Sequence, residues 1–363
     1  MFKSFEPAAV IGFVLSAALA LAAPTVRAAG PAATPAGDQL VSGTERGTYI
    51  QIGRDLSRLI AEPVGISLAV LPSKGSAENV RRLRSDPGVR LALVQSDVYQ
   101  AYLDEAKAGN AEAERLIKPL RVVMPLYDEE IYFVARADSP LNFVHEIKDK
   151  RINIGPVGSG TALTATTVYR QMFGVPISEK SASFLSNEDA LLKLATDTSV
   201  DVAVIVAGQP AKLFADMKSE ARKYIKLLKF DPKAEESQSA GATYVPALVR
   251  AGSYPNWLAE DVPVLSIRSM LVTYNFQTPG SRQMLTKFAG SLCERFEQLQ
   301  SSGHAKWQSV QLGLPPLGRG WDYYPPTQEA MLKCIARRAQ AKTEVAATSG
   351  CPQDKQVLGL CRR

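Results

Sequence analysis

The stretch "INIGPVGSGTALTATTVYRQMF", from Ile152 to Phe173, decides the fold, because a short apolar run gives way to small residues and then to a helical pattern. A strand that ends in such a turn and opens a helix is the repeating unit of parallel α/β sheets. Three kinds of site place small residues at this position: a phosphate loop, a serine nucleophile and an anion-binding helix N-terminus. The three imply different proteins.

The residue spacing argues against the first two sites. A phosphate loop needs a lysine that contacts the terminal phosphates, and the turn from Gly155 to Thr161 contains no lysine. A nucleophile elbow needs glycines two residues before and two after the serine, whereas Ser159 has a glycine directly on each side. The turn therefore favours an anion held by the unpaired N–H groups of a helix start. Simple capping of a buried helix stays open as the alternative.

A similar series of strands and turns precedes this stretch. "VLPSKGSAENV" (70–80) repeats the pattern of "NIGPVGSGTAL", and "LALVQSD" has its counterpart in "VAVIVAGQP". "RGTYIQ" (46–51) is a third helix entrance with glycine and threonine. Since ligands bind outside the carboxyl ends of the strands in open α/β sheets, two similar lobes predict a polar cleft between them. Lys74 is the cation in these turns and is expected either to pair with a carboxylate or to remain solvated.

The chain passes between the lobes in stretches that lack the strand and helix alternation. Residues 120–140 predict two short strands around Tyr127 that enter the second lobe, and residues 242–257 predict the return crossing. The predicted boundaries are a signal peptide at 1–28, a flexible leader at 29–38, lobe 1 at 39–134, lobe 2 at 135–243, the return to lobe 1 at 244–310, and a C-terminal helical, cysteine-containing extension at 311–363.

The N-terminus predicts export. Lys3 precedes an apolar run from Pro7 to Ala23, and "VRA" ends at Ala28 in the small residue that signal peptidases require. We therefore expect a periplasmic protein. The net charge of +6 is modest, and cleavage lowers it by one because Lys3, Arg27 and Glu6 are removed. The basic residues form no stripe, so we expect no nucleic-acid partner, whereas a small anion is compatible with this charge.

The cysteines predict disulfides. Cys293, Cys334, Cys351 and Cys361 are an even set in an exported chain, and they allow three pairings. We favour Cys351 with Cys361, which closes a short loop, and Cys293 with Cys334, which would join two helices. The two histidines lie at no ligand spacing from the cysteines, so we expect neither a metal nor another cofactor.

Six blocks of the sequence match a known family. In order they are "RGTYIQIG", "LPSKGSAENVRRLRS", "LALVQSDVYQAY", "INIGPVGSGTALTA", "VDVAVIVAGQP" and "YVPALVRAGSYPNWLAEDVPVLSIRSMLVT". They resemble the TAXI family, the extracytoplasmic solute receptors of tripartite ATP-independent periplasmic (TRAP) transporters. The resemblance implies a type II-like periplasmic-binding-protein fold with two lobes and two hinge crossings. It also implies a small carboxylate or amino-acid solute and TRAP membrane subunits as partners, and we expect a monomer.

Carried over block by block, the resemblance indicates which residues contact the solute. They are Gly47, Thr48, Tyr49, Ser73, Gly75, Ser76, Gln95, Ser96, Ser159, Gly160, Thr161, Gln209 and Tyr244. Two alternatives remain, a ligand receptor for a membrane sensor and a two-lobed enzyme. Against the enzyme, no histidine or cysteine lies near a glycine turn, and we interpret Asp97, Asp128 and Glu129 as surface or capping carboxylates.

Overall fold

The computed structural model describes residues 37–349, with the exception of residues 198 and 319. The predicted signal peptide, most of the leader and the predicted Cys351–Cys361 pairing lie outside the described residues. Within these residues, no helix combines the length and the apolar character that crossing a lipid bilayer requires.

Strands alternate with helices along most of this part of the chain. The strands are β1 (Asp38–Val41), β2 (Leu68–Leu71), β3 (Val89–Gln95), β4 (Leu120–Arg136), β5 (Ile152–Asn153), β6 (Ala182–Ser183), β7 (Val202–Ala207), β8 (Ile225–Leu227), β9 (Val245–Val249) and β10 (Val262–Tyr274). The helices are α1 (Thr48–Asp55), α2 (Ser76–Ser85), α3 (Ser96–Lys107), α4 (Ala111–Ile117), α5 (Gly160–Phe173), α6 (Asn187–Thr196), α7 (Lys212–Ala215), α8 (Ser237–Thr243), α9 (Pro279–Glu294), α10 (Phe296–Ser302) and α11 (Pro325–Ser349).

One sheet contains these strands, in the order β2-β1-β3-β10-β4-β7-β5-β6, with β8 beside β4 and β9 beside β10. β1 is parallel to β2 and β3, and β5 is parallel to β6 and β7. β4 and β10 are antiparallel to each other and to the outer neighbours β7 and β3. The sheet therefore has a parallel block at each end, and a long antiparallel pair joins the two blocks.

Each end of the sheet has its own hydrophobic cores, one on each face. Leu93 packs with α9, α10 and α11 on one face, whereas its neighbour Val94 packs with α2, α3 and α4 on the other. Val204 and Ile205 divide in the same way between the two clusters at the opposite end. We call the end that contains β1–β3 lobe 1 and the end that contains β5–β7 lobe 2. This arrangement confirms the predicted two-lobed α/β fold.

The two long strands make both crossings between the lobes. In β4, Val122 packs in lobe 1 and Phe133 packs in lobe 2. The sequence predicted two short strands here, but β4 is one strand of 17 residues. The predicted interruption between two strands is absent, because β10 pairs with β4 from the partners Leu265 and Ile131 to the partners Tyr274 and Leu120.

The return crossing lies in β10 rather than in residues 242–257. β9 pairs with the first half of β10, from Val262–Val249 to Ser266–Val245, and Trp257 packs in lobe 2. The second half of β10 pairs with β3 in lobe 1. The numerical boundaries of the lobes remain predictions.

A disulfide joins the C-terminal helices to each other. Cys293 on α9 is bonded to Cys334 on α11, which confirms this predicted pair. Both cysteines are buried, and α9 and α11 pack against the lobe 1 core through Phe288 and Met331. The bond therefore fastens the C-terminal extension to lobe 1.

We expect the double variant C293S/C334S to lower the free energy of unfolding by about 3–4 kcal/mol, because a bond that closes a loop of this length restricts the unfolded chain. The residues are separated by 41 positions. Denaturant titration without reductant measures the change, and wild-type protein in reductant is the control. Equal stability of variant and wild type would contradict the expectation.

Candidate functional site

A cavity of about 100 Å³ lies between the lobes. Nine of the predicted solute contacts line it: Gly47, Thr48, Tyr49, Gly75, Ser76, Gln95, Ser159, Gly160 and Thr161. A cavity needs about 10–15 Å³ on this measure to hold one water molecule, so this closed arrangement has room for a small ligand of several non-hydrogen atoms.

Several helices begin at the cavity wall, and three of them follow the glycine turns that the sequence predicted. α1 and α2 of lobe 1 begin at Thr48 and Ser76, and α5 of lobe 2 begins at Gly160. The residues before α1 and α2, Gly47 and Gly75, provide no side-chain cap. Unpaired N–H groups and the partial positive charge of a helix start favour an anion. Arg46 and Lys74 also line the cavity, so the wall is rich in hydrogen-bond donors.

The start of α5 is built as the sequence predicted. Ser159 Oγ accepts a hydrogen bond from Ala162 N at 3.0 Å, and the helix ends at Gly174 with a left-handed φ of 70°. Ser159 therefore caps α5, as the alternative interpretation expected, and it also lines the cavity. Thr161 Oγ1 has no such capping role and is the better candidate for a ligand contact.

The lobes meet where α5 begins. A Cβ added to Gly160 would overlap Gln95 Oε1 and would lie 2.7 Å from Ser76 Oγ. Ser76 Oγ donates to Gln95 Oε1 at 3.1 Å and accepts from Gln95 N at 3.0 Å. Gly75 has φ +123° and faces Gly160 N, a backbone conformation that favours glycine. Gly75 in lobe 1 and Gly160 in lobe 2 therefore allow the two lobes to approach this closely.

Hydrogen bonds across the cleft hold the lobes in contact. Thr48 Oγ1 donates to Gly208 O at 2.8 Å, and Glu78 N donates to Gly158 O at 3.0 Å. Exposed ion pairs from Arg46 to Glu188 and Asp216 cross the rim. These contacts depend on the closed arrangement, and exposed ion pairs of this kind contribute little stability.

Asp97 is a buried carboxyl at the lobe interface, which corrects its interpretation as a surface group. Its Oδ2 accepts from Thr164 Oγ1 at 2.6 Å and from Tyr244 OH at 3.2 Å, both in lobe 2. Burial raises the pKa of Asp97 to about 6, although these hydrogen bonds oppose the rise.

Glu129 is likewise buried, with 3% of its surface exposed, and it lines the cavity. Its Oε2 accepts from Tyr49 OH at 2.6 Å. Burial raises the pKa of Glu129 to about 8, and the Tyr49 hydrogen bond opposes this rise. Asp128, by contrast, is a partly exposed partner of Arg268.

Four predicted contacts do not line this cavity. Ser73 Oγ donates to Asn79 Oδ1 at 2.6 Å and supports the turn before α2. Ser96 begins α3 and faces an open groove. Tyr244 contacts Asp97, and Gln209 Nε2 donates to Glu130 Oε1 at 2.8 Å.

Several residues of the wall were not predicted. The polar ones are Thr44, Arg46, Glu129, Ser186, Asn187 and Glu188, and the others are Gly43, Pro156, Ile205, Val206, Ala207, Ala211 and Leu213. "SNED" at 186–189 carries a helix-start signal, since Ser186 caps α6. Glu129 had no such signal, because it lies within a long buried strand.

Among the described residues, no group of three or more histidine, cysteine, aspartate or glutamate side chains is arranged to hold a metal ion.

We expect G160A to hinder closure, because its methyl group would displace Gln95 or separate the lobes. Small-angle X-ray scattering should then show a larger radius of gyration than for the wild type. G290A is the matched control, since Gly290 is also helical and a Cβ there would meet nothing within 4 Å. A G160A protein as compact as G290A would show that Gln95 moves aside and would contradict the expected hindrance of closure.

We expect Asp97 to make folding less favourable as pH rises from about 4 to about 6, since its pKa in the folded protein lies above the unfolded value of 3.8. The difference between the free energies of unfolding of D97N and wild type should therefore grow over this range, by about 2 kcal/mol. D104N, an exposed aspartate on the same helix, is the control. Parallel pH profiles of D97N and wild type would contradict this expectation.

Comparison with known proteins identifies one family and several similar structures. Residues 40–314 match the NMT1-like family. MatC from Rhodopseudomonas palustris, solved with bound malate, is similar over 83% of this chain and 98% of its own, at 13% identity and a TM-score of 0.48. Periplasmic binding protein BugD is similar over 85% and 97%, at 13% identity and a TM-score of 0.45. The CcmR regulatory domain from Synechocystis, in complex with 2-PG, is similar over 69% and 94%, at 16% identity and a TM-score of 0.41.

Proposed function

Because this chain belongs to the NMT1-like family, we propose that it is an exported receptor which captures a small organic acid or amino-acid-like anion between its lobes. The ligand is bound and released unchanged. The observation that carries the proposal is the cavity between the lobes, where α1, α2 and α5 all begin.

The chemistry of the wall supports an anion. Backbone N–H groups at the three helix starts, the hydroxyl of Thr161 and the cations Arg46 and Lys74 are all donors. Hydrogen bonds to a charged group contribute about 1.5–3 kcal/mol each, so three or four of them support micromolar binding after the entropy cost of association. A ligand that lacks the carboxylate leaves these donors unpaired, which is the basis of selectivity.

Closure of the two lobes links binding of the ligand to a conformational change of the receptor. The contacts of Thr48 with Gly208 and of Asp97 with Thr164 form only when the lobes meet. A ligand that contacts both lobes adds to these interactions and shifts the population toward the closed form. β4 and β10 are the two connections about which the lobes would move.

We propose that the receptor is periplasmic and that its partner is a TRAP-type membrane transporter. The support is the order of the six TAXI-like blocks, from "RGTYIQIG" to the stretch that ends in "SIRSMLVT". A neighbouring gene for a TRAP membrane subunit would support delivery to a transporter. A neighbouring gene for a membrane sensor would instead favour a signalling receptor.

We expect at least one of pyruvate, succinate and L-glutamate to raise the melting temperature of the mature protein, because a ligand that binds the folded state stabilises it. For that ligand, T161V should bind about three- to tenfold more weakly, through loss of one hydrogen bond. Calorimetric titration measures the affinity.

T166V is the matched control, since Thr166 lies on the same helix and its hydroxyl donates within it, to Ala162 O at 2.7 Å. T166V should bind as the wild type does. Absence of a thermal shift with all three compounds would count against the proposed function, and turnover of a bound compound would favour an enzyme.

A further inference from the structure

Glu129 has a place in the cavity that the anion-binding proposal does not explain. A carboxylate in the wall would repel an anion, and Glu129 is almost fully buried there. The other carboxyl of the wall within the described residues, Glu188, lies at the rim with 45% of its side chain exposed and pairs with Arg46. Glu129 is therefore the carboxyl that a bound ligand would meet without intervening solvent.

The hydrogen bonds of Glu129 leave one oxygen available. Tyr49 OH donates to Oε2 at 2.6 Å, and no other hydrogen bond to this carboxyl is found among the described residues. Tyr49 is itself buried and belongs to α1. The phenol therefore orients the carboxyl toward the cavity and leaves Oε1 for the ligand.

The charged groups around Glu129 do not neutralise a negative charge. Glu130, on the same strand, and Asp97, on α3, both disfavour ionisation of Glu129. Lys306, in the turn 305–309, favours it, but its Nζ donates to Glu130 Oε1 at 2.8 Å. The neighbouring phenols of Tyr49 and Tyr127 are neutral, since burial raises the pKa of each well above 10.

We propose that Glu129 acts as an uncharged carboxylic acid and donates a hydrogen bond from Oε1 to a carboxylate oxygen of the ligand. The inference rests on the proposed function and extends it, because it makes capture of the anion dependent on a proton held by the receptor. A buried carboxyl without a cation partner takes up a proton rather than remain charged. The protonated group joins the helix starts as one more donor.

The pH dependence of binding follows from this role. Burial raises the pKa of Glu129 to about 8 in the closed form, and a bound anion raises it further. Binding is therefore strongest where Glu129 is protonated and weakens as the pH rises through 8. A carboxylate that accepted a hydrogen bond from a ligand ammonium group would show the opposite dependence.

The test is calorimetric titration of the mature protein with pyruvate, succinate and L-glutamate from pH 7 to pH 9. In the wild type we expect the affinity for a bound compound to fall about tenfold over this range, since deprotonation above the pKa removes the competent form. E129Q keeps a neutral group with an N–H donor. It should bind within about threefold of the wild type at pH 7 and change less than twofold up to pH 9.

Two further variants complete the test. E129A should lose at least tenfold in affinity at pH 7, because it lacks the donor. E62Q makes the same carboxyl-to-amide change at an exposed residue that does not line the cavity, and it should keep the wild-type fall with pH. Thermal unfolding of each variant without ligand separates loss of folding from loss of binding.

The outcomes distinguish the two proposals. If none of the three compounds binds the wild type, the proposed function fails and the role of Glu129 fails with it. If a compound binds and its affinity rises with pH, or if E129Q keeps the wild-type pH profile, only the role of Glu129 is overturned.

Discussion

The pairing of β4 with β10 is the interaction on which the rest of the structure depends. The two strands pair from Leu265–Ile131 to Tyr274–Leu120, and their side chains enter the cores of both lobes. Because the sheet is continuous through the two crossings, each lobe keeps its own core while β4 and β10 connect the lobes. The carboxyl ends of β3 and β7 therefore approach the same cleft, which is where α/β sheets present ligand sites. The pairing of β4 with β10 therefore suffices to bring the residues of both lobes together at the cleft.

The interface between the lobes contains an unusual number of acidic groups for a site that attracts anions. Asp97, Glu129 and Glu130 are all buried, and each has different hydrogen-bond partners. Glu130 is paired with Lys306 and Gln209, Asp97 accepts hydrogen bonds from lobe 2, and Glu129 has only a phenol. Burial of a carboxyl without a cation raises its pKa, so two of these groups respond to pH in the range where closure and binding are proposed to occur.

The network around Glu130 explains why Gln209 lies away from the cavity. Its backbone N donates to Glu130 Oε2 at 2.9 Å, and its side chain accepts from Arg250 N at 2.8 Å. Lys306, from the C-terminal part of the chain, reaches the same carboxyl. Gln209 thus connects β4 with the segment after β9, and Gly208 beside it accepts the interlobe bond from Thr48. Its position favours a role in the hinge over direct contact with a ligand.

The sequence by itself determined the α/β class and the helix starts, because these depend on local patterns, whereas the Cys293–Cys334 pair was one of three possible pairings until the structure confirmed it. Glycine, serine and threonine after a short apolar run, as in Gly158 to Thr161, predict a helix start wherever they occur. Only the tertiary structure decided that β4 is continuous, that β10 makes the return crossing, and that Asp97 and Glu129 are buried. Those features depend on which distant segments pair and on which segments cover the two carboxyls. Residues that are near in sequence determine neither. A carboxyl is interpreted as a surface group until the opposite lobe is placed over it, and the sequence therefore does not predict the role proposed for Glu129.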